Sequence, residues 1–193
     1  GCKTPEEIVS ALGAVQAQEY QQAKWAIGLR LQNLADVDVE NAFTKGEIIR
    51  THILRPTWHF VSPKDIRWML TISAPRVKAA NAFMYRKMEL DAKIFKKTND
   101  IIAKILLGKK QLTRSILATE LQRKKIVADG IRLSCIMMQA ELDGIICSGS
   151  KEGRQFTYAL LDERVPASKA MKEDEALAEL TKRYFSSRGP ATL

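Results

Sequence analysis

Cysteine is scarce in this chain. Cys2, Cys135 and Cys147 are too few and too scattered for a disulfide framework. Cys135 and Cys147 sit in apolar company and read as core residues. No paired cysteine or histidine spacing resembles a zinc site, so a metal centre is not expected. No apolar run approaches the length of a membrane span, and no secretory leader is visible. These absences together suit a reducing cytoplasm. Negative charge is also short: 22 acidic residues face 31 basic ones, leaving a net charge of +9. That excess suits a polyanion, with nucleic acid first, or it belongs to a merely soluble basic protein.

What is present is ample for folding. The 193 residues are 46% apolar, enough for one large domain or two small ones with real cores. Charged residues make up 27%, which argues against disorder.

The chain begins almost at once with a helix signal. In TPEEIVSAL, Thr4 is a cap, Pro5 takes the first helical position, Glu7 completes a capping box, and Gly13 ends the helix. Glutamines then cluster at Gln16, Gln18, Gln21 and Gln22. Tyr20, Ala23, Ile27, Leu31 and Leu34 recur at helical spacing. Gln16 and Gln18 therefore fall in a break between two helices. In an extended stretch, residues two apart point the same way, so both amides can face one cavity. The alternative is that they only satisfy loop backbone groups.

DVDVENAFTKGEIIRTHIL reads as helical, capped by Asp36 or Asp38. RPTWHFVS reads as a strand begun by Pro56. SPKDIRWMLTIS predicts a helix with Ser62 as cap and Pro63 at its first position. A long basic helix follows from Ala74 to about Lys97. From Thr98 the pattern changes to three short helices, TNDIIAKILLG, QLTRSILATELQRKK capped by Thr113, and RLSCIMMQAELDG stopped by Gly144. IICSGSKEGRQFTYALL closes the unit as a two-stranded hairpin. Three helices and a hairpin make a winged helix-turn-helix, a fold that sets its last helix in the DNA major groove. An acidic helix and a further opening, RYFSSRGPATL, follow. The abrupt ends suggest a piece of a longer protein.

Three stretches carry a family resemblance. GAVQAQEYQQAKWAIGLR contains Gln16-Ala17-Gln18, IIRTHILRPTWHFVSPKDIRWML contains Arg55, Thr57 and His59, and RYFSSRGPATL comes last. In this order they resemble the winged-helix DNA glycosylases of the azinomycin-resistance and crosslink-repair type. The resemblance covers essentially the whole chain. It matches Gln16 and Gln18 to the family's Gln-x-Gln catalytic motif, and Arg55-x-Thr57-x-His59 to its Arg-x-Thr-x-His strand. Some relatives carry Asp at the second motif position, where this chain has Gln18.

The resemblance implies a mainly α fold with short β-hairpins, built of tandem winged helix-turn-helix units. The first spans residues 1–97, the second 98–162, and a linker helix with the start of a further unit 163–193. The rest of the third winged helix and a terminal β-barrel would lie outside the chain. The implied activity is hydrolysis of the N-glycosidic bond of N7-alkylated purines in duplex DNA, in the cytoplasm at the nucleoid, by a monomer with no metal and no small-molecule cofactor. Gln16 and Gln18 would hold the water, with Glu19 an understudy pointing the other way.

Around them, Arg50 and Arg55 either contact phosphate or pair with Asp65 or Glu47. Trp58 and Phe60 read as the core face of their strand. That leaves Thr57 and His59 to look outward or into a cleft, where His59 either packs or lines the DNA or the active site. Arg132, Lys151 and Arg154, on the third helix and wing of the second unit, complete the expected DNA surface. A DNA-binding regulator without catalysis is the competing function.

Overall fold

The computed structural model describes residues 1–32, 34–168 and 171–189. Its first half runs α1 (Pro5–Ala11), β1 (Val15–Gln16), α2 (Tyr20–Gly28), α3 (Asp36–Lys45), β2 (Ile49–His52) and β3 (Trp58–Val61). A 22-residue helix, α4 (Ile66–Lys87), leads to the second half. That half repeats the order with α5 (Ala92–Leu106), β4 (Leu112–Thr113), α6 (Arg114–Arg123), α7 (Gly130–Leu142), β5 (Ile146–Glu152) and β6 (Gln155–Leu160). A single-turn α8 (Leu161–Arg164) and a C-terminal α9 (Glu173–Ser187) follow. Each half holds one small antiparallel sheet with its last strand in the middle, β1-β3-β2 and β4-β6-β5. The whole is mixed α and β, mostly helical.

Local chemistry explains most of these elements. The Thr4 hydroxyl accepts the Glu7 amide and starts α1. The Asp38 carboxylate accepts the Ala35 amide at 2.8 Å and fixes the start of α3. As at Thr4, the N-cap side chains of Thr113 and Asp91 accept the Ile116 and Ile94 amides and start α6 and α5. Several sequence expectations are corrected. The helix expected to run on from Asp36 stops at Lys45, because Gly46 turns left-handed at φ 80°. Beyond it Ile49–His52 form strand β2 instead, in a stretch whose β-branched Ile48, Ile49, Thr51 and Ile53 are all buried. The two helices expected on either side of Ala74 are one: α4 runs through Pro75 and stops at Lys87. The expected basic helix is then broken, with Glu89 at φ 53° and α5 restarting at Ala92, so Thr98 lies inside a helix rather than at its start. Ser62 and Pro63 fall in the turn before α4, and β3 begins at Trp58 rather than at Pro56.

Cys135 and Cys147 are core residues as expected, and burial pushes the Cys147 thiol up to about 12. The start of the RYFSSRGPATL segment ends α9. There Arg183 donates to Asp65 at 2.6 Å and to the Ser10 carbonyl at 3.0 Å, tying the helix to α1. Residues 190–193 of that segment lie outside the described residues.

The halves share a core. Phe156 of β6 packs into the aromatic group of the first half, 4.9 Å from the Tyr20 ring and 6.1 Å from Phe43. Strand β2 lies against β5, where the Arg50 amide donates to the Ser148 hydroxyl at 2.9 Å. His52 of β2 meets Glu141 of α7 through Nδ1 and Oε2, and both side chains are buried. Removing one partner of such a pair leaves a buried polar group stranded. Glu141→Ala should therefore lower the unfolding free energy by roughly 3–5 kcal/mol in urea titrations. Glu141→Gln, which keeps a hydrogen-bonding group opposite His52, should lose clearly less.

Candidate functional site

The glutamine loop is set by the first sheet. Val15 pairs with Phe60 and Gln16 with His59, and the Ala17 amide then donates to the Trp58 carbonyl at 2.8 Å. Ala17 is fully buried while Gln16 and Gln18 are exposed. The alternation of an extended segment thus puts both amides on the outside. At Glu19 the chain turns into α2, and the loop ends there. The Gln18 side-chain Oε1 accepts the Trp58 backbone amide at 3.5 Å, a long contact.

Arg50 braces this loop from inside. Its Nε donates to the Ala17 carbonyl at 3.0 Å. The guanidinium lies 4.3 Å from the Trp58 ring centre and 4.5 Å from that of Phe156. Burial lowers its pKa, with the Glu141 field acting the other way. His52 packs on the same indole at 4.6 Å. The chain Glu141, His52, Trp58, Arg50, Phe156 therefore runs from α7 to the loop and crosses both halves.

Two open hollows flank this stack. The first, of about 720 Å3, is lined by Gln18, Glu19, Gln21, Gln22, Lys151 and Arg154 among others. Gln16 is not among the residues lining it, so Gln18 shares this hollow with Glu19 rather than with Gln16. Glu19 reaches it because the extended segment ends there, which removes the alternation that would turn it away. The second hollow, of about 570 Å3, lies beyond Arg50, Arg154 and Phe156, which also wall the first. Lys151 is held in place by Glu40 at 3.3 Å, and Glu40 also takes the buried Lys24 at 2.8 Å. Those two lysines hold the Glu40 carboxyl below its usual range, although burial alone would raise it. Among the described residues, no group of three or more His, Cys, Asp and Glu side chains is placed to hold a metal ion.

The other expected site residues separate. Arg55 is exposed in the β2–β3 turn, and Arg154 is exposed at the β5–β6 turn. Thr57 is half-buried, and its hydroxyl has no partner among the described residues. Neither Arg50 nor Arg55 pairs with Asp65, whose carboxylate takes Arg183 and the Trp68 indole. Arg132 points inward: its Nε donates to the Val127 carbonyl at 3.0 Å and its Nη1 to the Met88 carbonyl, pinning α7 to the turn after α4. His59 does not look outward. It sits on the central strand of its sheet, both faces of which are covered, and is 3% exposed. Trp58, expected in the core, is only half-buried and lines the second hollow. Sequence reading missed Trp58, Arg114, Phe156 and Tyr158 as site walls, and His52 with Glu141 behind them. The Arg50-Thr51-His52 run was a usable signal once read as a strand.

His59 donates from Nδ1 to the Thr57 carbonyl at 2.9 Å, and burial pushes its pKa down to about 4. The folded chain therefore keeps it neutral between about pH 4 and 6.5, while the unfolded chain takes up a proton. The stability from this site is complete above about 6.5 and is lost as pH falls toward 4. Urea melts of the parent should weaken over this window by up to about 3 kcal/mol more than those of His59→Gln.

A search of curated proteins gives no match. Among solved structures the chain is similar to the DNA glycosylase AlkZ of Streptomyces sahachiroi, with a TM-score of 0.84 and 25% identity, covering 98% of this chain and 53% of that one. It spans about half of that structure's length. A family profile described as DNA glycosylase AlkZ-like matches residues 9–193. The chain belongs to the AlkZ-like DNA glycosylase family.

Proposed function

We propose that the protein of which this chain is all or part is a DNA repair glycosylase. It would hydrolyse the N-glycosidic bond of N7-alkylated purines in duplex DNA, working as a monomer in the nucleoid, without metal or cofactor. The repeated element order and paired three-stranded sheets support reading the two halves as winged-helix units in tandem. Family membership supports the reaction class. What carries the proposal is the pair of exposed amides, Gln16 and Gln18, on a loop clamped by Trp58 and Arg50 at the edge of a basic hollow.

The chemistry asks little of the protein. Alkylation at N7 makes the base cationic, so it leaves without strong acid catalysis. The electron pair of the glycosidic bond departs with the base and cancels its charge. Water attacks the anomeric carbon, on which oxocarbenium character has developed. An amide oxygen accepts from that water and an amide NH2 steadies its neighbours. Positioning contributes several kcal/mol at most, below the ~7–11 kcal/mol of ideal intramolecular systems. Glu19, in the same hollow as Gln18, is the nearest carboxylate to take the water's proton or to face the sugar's positive charge. Arg154, Arg55 and Lys151 would meet phosphates. Arg50, almost fully buried, would act mainly through the loop it braces. Arg132, whose Nε and Nη1 donate to the backbone carbonyls of Val127 and Met88, is not retained in this DNA surface.

A second reading, a DNA-binding module without catalysis, is favoured by one contact. The Gln18 oxygen already accepts a backbone amide, as a purely structural glutamine would. Base release separates the two. An oligonucleotide carrying 7-methylguanine should lose that base to the parent. Gln16→Ala and Gln18→Ala should each slow release by ~10–100-fold while still binding DNA. Uracil and intact guanine, which leave as poorer leaving groups, should be released far more slowly. Parental rates in both variants would make the glutamines structural. No release by the parent would give the regulator reading precedence. Duplex affinity should also fall steeply between 50 and 200 mM salt, roughly linearly in log–log form.

A further inference from the structure

The second hollow takes no part in the reaction just described. It shares Arg50, Arg154 and Phe156 with the first hollow but is not lined by Gln16, Gln18 or Glu19, and its other walls include Trp58 of β3, Tyr158 of β6 and Arg114 at the start of α6. Its volume of about 570 Å3 falls in the range of small-molecule sites. Among the described residues lining it there are three aromatic rings, three arginines and no carboxylate. Arg114 is fixed by donating to the Ser134 hydroxyl at 2.7 Å, and Arg50 by the Ala17 carbonyl. Arg154 stands exposed at the hairpin turn, on the rim of both hollows. Aromatic walls suit a planar ring, and guanidinium groups without a neighbouring acid suit an anion attached to it.

We propose that this hollow is a cradle for a single unstacked nucleobase of the bound DNA, its phosphate held by Arg154 and Arg114. The proposal rests on the reading of the chain as a DNA-acting protein. A base carried on a DNA strand, rather than a free nucleotide, is favoured by the shared wall. A strand crossing Arg154 passes from one hollow to the other, so a nucleotide held in the second fixes the register of the sugar beside Gln18. The cradle thereby reads helical disruption next to a lesion and not only the lesion itself. Stacking on aromatic side chains is tolerant of base identity, so little sequence preference is expected.

The test compares duplex DNA containing one bulged nucleotide with the fully paired duplex, by fluorescence anisotropy on the full chain. The parent should bind the bulged duplex about tenfold more tightly. Ser115→Trp places a large side chain on an exposed position lining the hollow and should abolish that preference while leaving affinity for paired DNA within about twofold. Phe156→Leu, folded by circular dichroism, should reduce the preference. Thr119→Trp, exposed one turn further along α6, should keep it. Equal binding of both duplexes by the parent, or an undiminished preference in Ser115→Trp, overturns the proposal. So does displacement of the bulged duplex by an equal concentration of deoxyadenosine monophosphate, which would make the hollow a free-nucleotide site. Because the readout is binding, a parent that shows the preference yet releases no 7-methylguanine would sink the glycosylase reading and leave the cradle standing. A parent that releases base without the preference would do the reverse.

Discussion

The guanidinium of Arg50 is nearly cut off from water, and the two halves of the molecule meet around it. Burying a cation is costly unless its surroundings replace its hydration. Here the replacement comes from the Ala17 carbonyl, two aromatic rings and the field of Glu141, drawn from the loop after β1, from β3, from β6 and from α7. None of these groups is adjacent to Arg50 in sequence. The charge is therefore tolerable only when both halves are folded and docked. The glutamine loop inherits its position from the same arrangement, since the carbonyl that Arg50 holds belongs to the residue between the two exposed amides.

The surroundings of Arg50 are themselves held by polar pairs at the seam. His52 and Glu141 link β2 to α7, and Lys24, Glu40 and Lys151 link α2, α3 and β5. Of these, only His52–Glu141 is buried on both sides, and a buried pair of that kind often adds no more to net stability than a well-packed apolar replacement would, while losing one partner is costly. The consequence at the site is geometric. Lys151 and Arg154 on the second half's hairpin are delivered beside Gln18 and Glu19 on the first half's loop. A positively charged rim then surrounds the loop on which the chemistry is proposed to occur, and the acidic groups nearby are mostly spent on lysines.

Much of this was legible in the chain. Caps at Thr4 and Thr113, the stop at Gly144 and the β5–β6 hairpin follow from local rules, because capping and turn geometry involve only neighbouring residues. The helix break at Gln16–Gln18 was legible too, and with it the outward direction of both amides. β2 was not. Ile48, Ile49 and Ile53 fit a helical period as well as a strand buried on both faces, and only Gly46 hinted at the difference. His59 failed for a related reason. An alternating strand suggests one covered face, but a strand in the middle of its sheet with packing on both sides has no outward face to offer.

The sequence alone determined the secondary elements near their caps, the basic balance, the buried cysteines and the family to which Gln16 and Gln18 point. All of these depend on composition or on contacts within a few residues. Tertiary structure decided which side chains share a space: Glu19 rather than Gln16 beside Gln18, Arg132 turned inward, and Trp58, Phe156 and Arg114 gathered around a second hollow. Those groupings join residues as far apart as Arg50 and Phe156. They are fixed by packing and by the need to satisfy buried charge, neither of which is written in any local stretch of the chain.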